Sequence, residues 1–386
     1  MSYQMSVVET KKSKIILRIP EVWRKCHHMP IPKGSSELGS GGFGYVRAVN
    51  ERLCVKHFKD GEDFYREVVN SNLVAIASSR FSNKGTAILN MINACAVCKF
   101  ILYPRLNCNL HELSLRDTCP DTLANAFVRL QEGVMFLNRE VGLFHGDISP
   151  SNILVRLDPN TGKLDDLILA DLGISVLHSG NSHTDIVVKS TKGKQLVRLD
   201  NVKSPYYLGK DAYKPAFVLF ICYTLRQRNR RAYYEQPAGL VNQREALAID
   251  LCSLGYSLLA CIRWMFDLPS NNLPAACEHG VTGEPQAVMN PVYYLLHMID
   301  KVAMCQLLNA SWETKINLGV TPEGECTHLE LCPEHRNVFS SKCRQFVTQY
   351  MKLILDSRAY RHLRSKALRD ITVNLLSYDC FSENGM

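Results

Sequence analysis

The sequence predicts an α+β chain of two lobes, a small β-rich one first and a larger helical one after it. Three observations carry that expectation. Short runs of alternating and β-branched residues crowd the stretch from Tyr45 to Tyr103. Beyond it, apolar residues recur at helical spacing, most clearly in Asp121–Val141, Ala246–Ala260 and Ala359–Leu376. The length of 386 residues, with 46% hydrophobic and 21% charged, suits two or three average domains or one large two-lobed enzyme.

Charge and cysteine usage narrow the classes. The net charge of +8 serves solubility and also favours phosphate-bearing or acidic partners. There are fifteen Cys, an odd number, and Met1–Asn50 holds no apolar signal segment beyond Ile15-Ile16-Leu17. Reduced thiols in a cytosolic or nuclear setting are expected. The apolar runs Ala216–Leu225 and Leu254–Phe266 are short or broken by Arg263. Neither reaches the ~18 to 20 residues that span a bilayer, so buried core helices are expected and no membrane contact.

Taken in order, residues 1–32 read as an N-terminal extension. Its basic cluster Lys11-Lys12-Ser13-Lys14 reads as a solvated tail, and Pro30 and Pro32 close it. Leu38-Gly39-Ser40-Gly41-Gly42-Phe43-Gly44-Tyr45-Val46 follows the pattern G-x-G-x-x-G-x-V. Gly39, Gly41 and Gly44 would let a strand–turn–strand backbone lie close over phosphates with its N–H groups facing them. A dinucleotide fold needs a helix directly after such a loop. Here Tyr45–Val49 alternates like a strand and Leu53–Lys56 follows as another, which favours a glycine-rich hairpin.

Lys56 lies twelve residues beyond Gly44, in Cys54-Val55-Lys56, and is a phosphate-binding candidate. Gly61–Ala75 reads as a helix carrying Glu62 and Glu67. One of these acids should hold Lys56 toward the phosphates. Glu67 is chosen because it falls mid-helix, with Glu62 as the alternative. Strands are expected over Thr86–Met91 and Ala96–Tyr103, a hinge over Tyr103–Asn107, and a helix starting at Leu110–Leu113. Asp121–Val141 is amphipathic through Leu123, Phe127, Leu130, Val134 and Leu137, and stops at Gly142.

The loop His145-Gly146-Asp147-Ile148-Ser149-Pro150-Ser151-Asn152 reads H-x-D-x-x-x-x-N. Its Asp147 can orient and deprotonate a hydroxyl, and its Asn152 can ligate a metal that neutralises phosphates. Strands Ile153–Val155 and Leu167–Ala170 then deliver Asp171-Leu172-Gly173, nineteen residues beyond Asn152. Asp171 can serve as a second magnesium ligand, and Gly173 would permit a tight turn. Residues 174–215 form a polar segment rich in hydroxyls, with Tyr213-Lys214-Pro215-Ala216 near its end. Arg226-Gln227-Arg228-Asn229-Arg230-Arg231 is a basic run, either a solvated loop or a contact for nuclear import factors or acidic partners. Asp250 and Gly255 lie on the buried helix Ala246–Ala260, where a buried Asp must be hydrogen-bonded and should brace the loop at Asp147.

Residues 267–340 read as a long insertion with a helix over Pro291–Leu308. Its Cys326, His328, Cys332 and His335, with Cys343, do not fit a zinc spacing. Cys95 and Cys98 are assigned to a strand. Helices over Phe346–Leu355 and Ala359–Leu376 close the chain. No aromatic platform or zinc pattern supports specific nucleic-acid binding.

Glycine loop, Lys56, Glu67, His145-x-Asp147-x4-Asn152, Asp171-x-Gly173 and Asp250-x4-Gly255 occur in one order at compatible distances. In that set the chain resembles the eukaryotic-type protein kinases over roughly residues 35–265. The resemblance implies a two-lobed protein-kinase-like fold, with an N-lobe over 33–105 and a C-lobe over 106–386. It implies ATP and Mg2+ as cofactors and protein Ser/Thr hydroxyls as acceptors. Lys56, oriented by Glu67, would hold the α- and β-phosphates, and Asn152 and Asp171 the magnesium. Asp147 would act on the hydroxyl. Leu38, Val46, Cys54 and Leu154 would sandwich the adenine, with Leu154 as its floor.

The departures from the pattern are informative. Gly146 stands in place of the Arg of H-R-D, through which a phosphorylated activation segment acts. Ser149 replaces the Lys that contacts the transferred phosphate in Ser/Thr kinases. The acid of A-P-E is missing. With H-G-D-I-S-P-S-N-I-L, D-L-G and G-S-G-G-F-G-Y-V, the chain is similar to the protein kinases encoded across the herpesviruses. That similarity implies viral and host protein substrates, the infected-cell nucleus and the virion tegument. Two rivals share the fold: a small-molecule phosphotransferase of the aminoglycoside, choline or nucleoside type, whose loop also reads H-G-D-x-x-x-x-N, and a pseudokinase scaffold.

Overall fold

The computed structural model describes residues 8–11, 14–18, 35–80, 87–177, 183–190, 193–200, 209–210, 213–214, 243–265 and 365–377. The basic run Arg226–Arg231, the 267–340 insertion with its Cys and His residues, and the helices expected over Pro291–Leu308 and Phe346–Leu355 lie outside the described residues. Two compact units emerge. One holds Met1–Glu112, Glu132–His145 and Ser151–Val202; the other holds Leu113–Gln131, Gly146–Pro150 and Lys203–Met386.

The first unit is built on a five-stranded sheet. Its strands are β3 (Glu37–Ser40), β4 (Gly44–Ala48), β5 (Leu53–Phe58), β6 (Asn93–Cys95) and β7 (Phe100–Pro104), in the order β3-β4-β5-β7-β6. All neighbours are antiparallel. The β4–β5 hairpin closes on Asn50, whose side-chain oxygen accepts the amides of Arg52 at 2.8 Å and Leu53 at 2.9 Å. Lys56 pairs with Val46 on one side and Ile101 on the other, so it sits mid-sheet. Helix α1 (Gly61–Arg80) covers one face. It starts at Asp60, whose carboxylate accepts the Glu62 amide at 2.6 Å. No glycine or proline interrupts it, and it runs five residues past the expected end at Ala75. Phe64, Val68 and Val69 of the helix pack against Cys54, Phe58, Ile101 and Tyr103 of the sheet, forming the core.

Three expected elements differ. In place of a strand over Thr86–Met91, the described residues make one isolated bridge, Ile88 to Leu169. The strand expected over Ala96–Tyr103 begins only at Phe100, because Ala96–Lys99 form the turn of the β6–β7 hairpin. Lys99 takes the left-handed conformation there, at φ 52°. Leu110–Glu112 are a turn, not a helix start. Asn109 and Glu112 close it by exchanging side-chain and amide hydrogen bonds at 3.3 and 3.1 Å.

Helix α2 (Pro120–Phe136) continues into a π-helical turn, Leu137–Val141, which ends at Gly142 in the left-handed region, φ 79°. Strands β8 (Cys108–Asn109), β10 (Ile153–Leu157) and β11 (Leu164–Leu169) form a three-stranded sheet in the order β11-β10-β8. Strand β9 (Leu143–Phe144) pairs with β12 (Val176–Leu177). The segment read as merely polar beyond residue 174 contains a hairpin, β13 (His183–Ser190) with β14 (Gly193–Asp200). Strand β13 runs parallel to β2 (Lys14–Arg18), which pairs with β1 (Val8–Lys11). The cluster Lys11–Lys14, expected in a solvated tail, is thus a hairpin end, with Lys11 opposite Lys14.

In the second unit, helix α3 (Gln243–Met265) carries an almost unbroken buried stretch, Ala246–Ile262. Its buried Ser253 and Ser257 hydroxyls each donate to the carbonyl four residues back, at 2.9 Å. Helix α4 (Lys366–Ser377) is capped by Ser365, whose Oγ accepts the Leu368 amide at 3.0 Å. Of the helix expected over Ala359–Leu376, the part at 359–364 lies outside the described residues, and the rest falls in α4. Among the described residues no helix is long and apolar enough to cross a membrane.

Candidate active site

Within the first unit, three sequence-chosen residues meet. Lys56 Nζ lies 2.6 Å from Glu67 Oε2 and 2.8 Å from Asp171 Oδ1. The helical acid that reaches Lys56 is Glu67; Glu62 lies exposed in the first turn. A strand's period of two explains the sheet side of the cluster. Val46, Cys54, Lys56 and Tyr103 share one face through the pairings Val46–Lys56 and Cys54–Tyr103. The helix side follows from spacing: Glu67 and Asn70, three residues apart, share a face of α1.

Two residues in this cluster escaped the sequence reading. Tyr103 Oη donates to Glu67 Oε1 at 2.7 Å. Asn70 Nδ2 donates to the carbonyls of Leu172 at 2.9 Å and Ser175 at 2.8 Å. The sequence reading places Tyr103 at the end of a strand and the start of a hinge, and does not single out Asn70. Only the buried position of a polar side chain on an otherwise apolar face could have pointed to either.

The electrostatics follow from burial and charge. Burial pushes the Lys56 ammonium down, but Glu67 and Asp171 outweigh it and hold the pKa above the usual lysine range. Burial pushes the Glu67 carboxyl up, against the pull of Lys56 and the Tyr103 hydrogen bond. Burial also opposes ionisation of Asp171, yet Lys56 and the Gly173 amide keep its carboxyl below the ordinary value. Asp171 adopts φ 68°, so the backbone turns at the Asp and not at the following glycine. Gly173 is needed for space instead: a Cβ there would lie 2.9 Å from Glu67 Oε2 and 3.2 Å from Asp171 Oδ1.

The β10–β11 ladder brings the backbone of Asn152 beside that of Ala170, the residue before Asp171. Ile153 pairs with Leu169, and the Ala170 amide donates to the Asn152 carbonyl at 2.9 Å. A carboxylate and a carboxamide are hard donors that suit magnesium, which takes its remaining ligands from water and phosphates. Among the described residues no group of three or more His, Cys, Asp or Glu converges as a closed metal cage would require. His145 is fully buried, with Nε2 3.0 Å from the Ala170 carbonyl, which can only accept, so Nε2 carries the proton. Burial pushes its imidazole down to about 4.

Asp147 belongs to the second unit. The Gly146 amide donates to Asp250 Oδ1 at 3.0 Å, so the buried Asp of α3 holds the loop backbone as its position suggested. Asp147 Oδ1 accepts the amide of Lys210 at 3.1 Å.

The glycine loop closes with a Gly41 amide to Gly44 carbonyl bond of 2.8 Å, and no heavy atom lies within 4 Å of where a Cβ of Gly39 or Gly41 would be. Gly44 differs: its Cβ would overlap the His57 carbonyl across the strand pair. Leu38 is exposed, Val46 and Leu154 half-buried, and Cys54 buried. Burial pushes the Cys54 thiol up to about 11, so it acts as a small apolar surface.

Comparison with known proteins adds a separate line. The family model described as UL97 matches residues 78–272, half of the chain. "Viral protein kinase" of human herpesvirus 8 type P is 32% identical over 100% of this chain and 86% of its own length. "Probable inactive protein kinase 38" of equine herpesvirus 2 is 34% identical over 96% of this chain and 85% of its own. "Serine/threonine-protein kinase BGLF4" of Epstein-Barr virus (strain AG876) is 30% identical over 98% of this chain and 87% of its own.

Proposed function

Because this chain belongs to the herpesvirus serine/threonine protein kinase family, and so is a protein kinase, we propose that it transfers the γ-phosphoryl group of ATP to Ser/Thr hydroxyls through the residues described above. The observation that carries the assignment is the Lys56 ammonium, held at 2.6 and 2.8 Å by Glu67 and Asp171. Lys56 binds the α- and β-phosphates, and Glu67 keeps it extended. Asn152 and Asp171 hold magnesium, which when bound neutralises charge on the phosphates. Gly39, Gly41 and Gly44 cover the phosphates, with Leu38, Val46, Cys54 and Leu154 around the base.

Asp147 orients the acceptor hydroxyl and receives its proton. The acceptor oxygen bonds to the γ-phosphorus as the bond to the β–γ bridging oxygen breaks, and that electron pair leaves with ADP. Positioning and charge neutralisation supply most of the barrier reduction, because little covalent work falls to the protein. The lobes divide near residue 105, after an extension of 1–32 and before an insertion over about 267–340. The substrates are viral and host proteins, met in the host nucleus and the tegument, and Arg226–Arg231 contacts nuclear import factors. No specific nucleic acid and no membrane enter the scheme.

The test uses the purified chain with labelled ATP and either casein or histone, in parallel with aminoglycosides, choline and nucleosides. Label in the protein acceptor, lost in Asp147→Asn, is expected. Label in the small molecules alone would overturn the assignment. An Asp147→Asn variant at wild-type activity would remove Asp147 from the mechanism. One relative is named inactive, but this chain retains Lys56, Asp147, Asn152 and Asp171, which supports an active enzyme.

A further inference from the structure

Ser149 stands where the resemblance expects a lysine at the transferred phosphate, and it is 0% exposed. A hydroxyl sealed there carries no charge to the reacting group. The cation must come from elsewhere, or be missing.

The second unit brings another lysine to Asp147. The Lys210 amide donates to Asp147 Oδ1 at 3.1 Å. This approach depends on the residue before it. Gly209 adopts φ 78°, and a Cβ there would lie 2.3 Å from the Gly146 carbonyl and 3.2 Å from both Cα and Oδ1 of Asp147. Gly146 is itself left-handed, at φ 78°. Gly209, having no side chain, thus lets its backbone lie directly on the Gly146 carbonyl.

Lys210 is therefore anchored one peptide from the assigned base. Its amide donates to Asp147 Oδ1, the carboxylate assigned to the hydroxyl. Lys210 is half-buried, and its ammonium sits on a flexible four-carbon stem with three donors. A cation that can reach the point where phosphoryl charge develops stabilises the transition state more than the ground state.

We propose that Lys210 is a further catalytic residue, whose ammonium contacts the transferred phosphoryl group in place of the cation that Ser149 does not supply. The proposal rests on the kinase reading of Asp147. The chemical step is the transfer written above, in which Lys210 takes no covalent part.

The test measures casein phosphorylation by the full chain carrying Lys210→Ala or Lys210→Arg, with Asp147→Asn as control and a urea midpoint for each. Lys210→Ala should lower kcat about 100-fold, the loss typical of one charge-stabilising donor, with KM for ATP and the urea midpoint unchanged. Lys210→Arg should recover most of that loss. Wild-type kcat in Lys210→Ala, with Asp147→Asn inactive, overturns the role of Lys210 and leaves the kinase reading standing. Equal losses in Ala and Arg, or a lowered urea midpoint in step with activity, reduce Lys210 to a backbone prop and also overturn it. Full activity in Asp147→Asn overturns the kinase reading itself.

Discussion

At Tyr103 a phenol that the sequence placed in a hinge is the second donor to Glu67. Glu67 is almost fully buried, so each carboxylate oxygen needs a partner: Oε2 has Lys56 and Oε1 has Tyr103. Tyr103→Phe leaves Oε1 bare and should cost about 1–3 kcal/mol of stability in urea unfolding. It should also raise KM for ATP, because Lys56 loses a fixed counter-ion. His145 makes a different point about charge. An imidazole ordinarily titrates near 6.5, and burial lowers His145 to about 4. Between those values the unfolded chain binds the additional proton. Stability is therefore full above about pH 6.5 and falls as pH drops toward 4, by about 3 kcal/mol in all. Urea midpoints measured from pH 7 to 4 should show this slope, and His145→Asn should flatten it. Lys56, Glu67 and Asp171 were legible from motif spacing, because each lies in a local pattern. Tyr103 was not, since its partner is 36 residues away and nothing local marks a tyrosine as a donor.

Among elements, helix α1 shows how one face does two jobs. Glu67 holds the Lys56 strand, and Asn70 holds the carbonyls of Leu172 and Ser175 just beyond Asp171. The helix position and the Asp171 turn are thus tied together. Asn70 reaches across 102 and 105 residues, too far for any periodicity to reveal. In the second unit, α3 and α4 touch at Gly255, where a Cβ would lie 3.0 Å from Leu375 Cβ and 3.2 Å from its backbone carbon. The backbone carbon belongs to a helix and cannot swing aside. Gly255→Val should cost about 3 kcal/mol by overpacking, read as a lower urea midpoint with an unchanged m value. The motif gave Gly255 a place but no reason; close helix packing supplies one. The elements missed, around Thr86–Met91 and Leu110–Leu113, are short. There one bridge, or a pair of Asn109–Glu112 bonds, outweighs local propensity.

For the molecule as a whole, two separate routes lead to one class. Motif order along the chain pointed to phosphoryl transfer, and full-length similarity at 30–34% to herpesvirus kinases points the same way. The departures, Gly146 and Ser149, gain meaning only in three dimensions. Gly146, at φ 78°, offers the carbonyl against which Gly209 packs, and Ser149 is buried. Lys210 reaches Asp147 by a backbone bond, which asks for no Arg at 146.

The sequence by itself determined the kinase class: the order and spacing of glycines, lysine, acids and asparagine match what a phosphate and a metal would require, and such requirements are local. The tertiary structure alone decided who supports those residues. Tyr103 on Glu67, Asn70 on the Asp171 turn, Asp250 on Gly146 and Lys210 on Asp147 are contacts between distant segments. Their partners are backbone atoms or buried side chains, which leave no periodic or compositional trace. Burial, which makes each unpaired polar atom costly, exists only once the chain has folded.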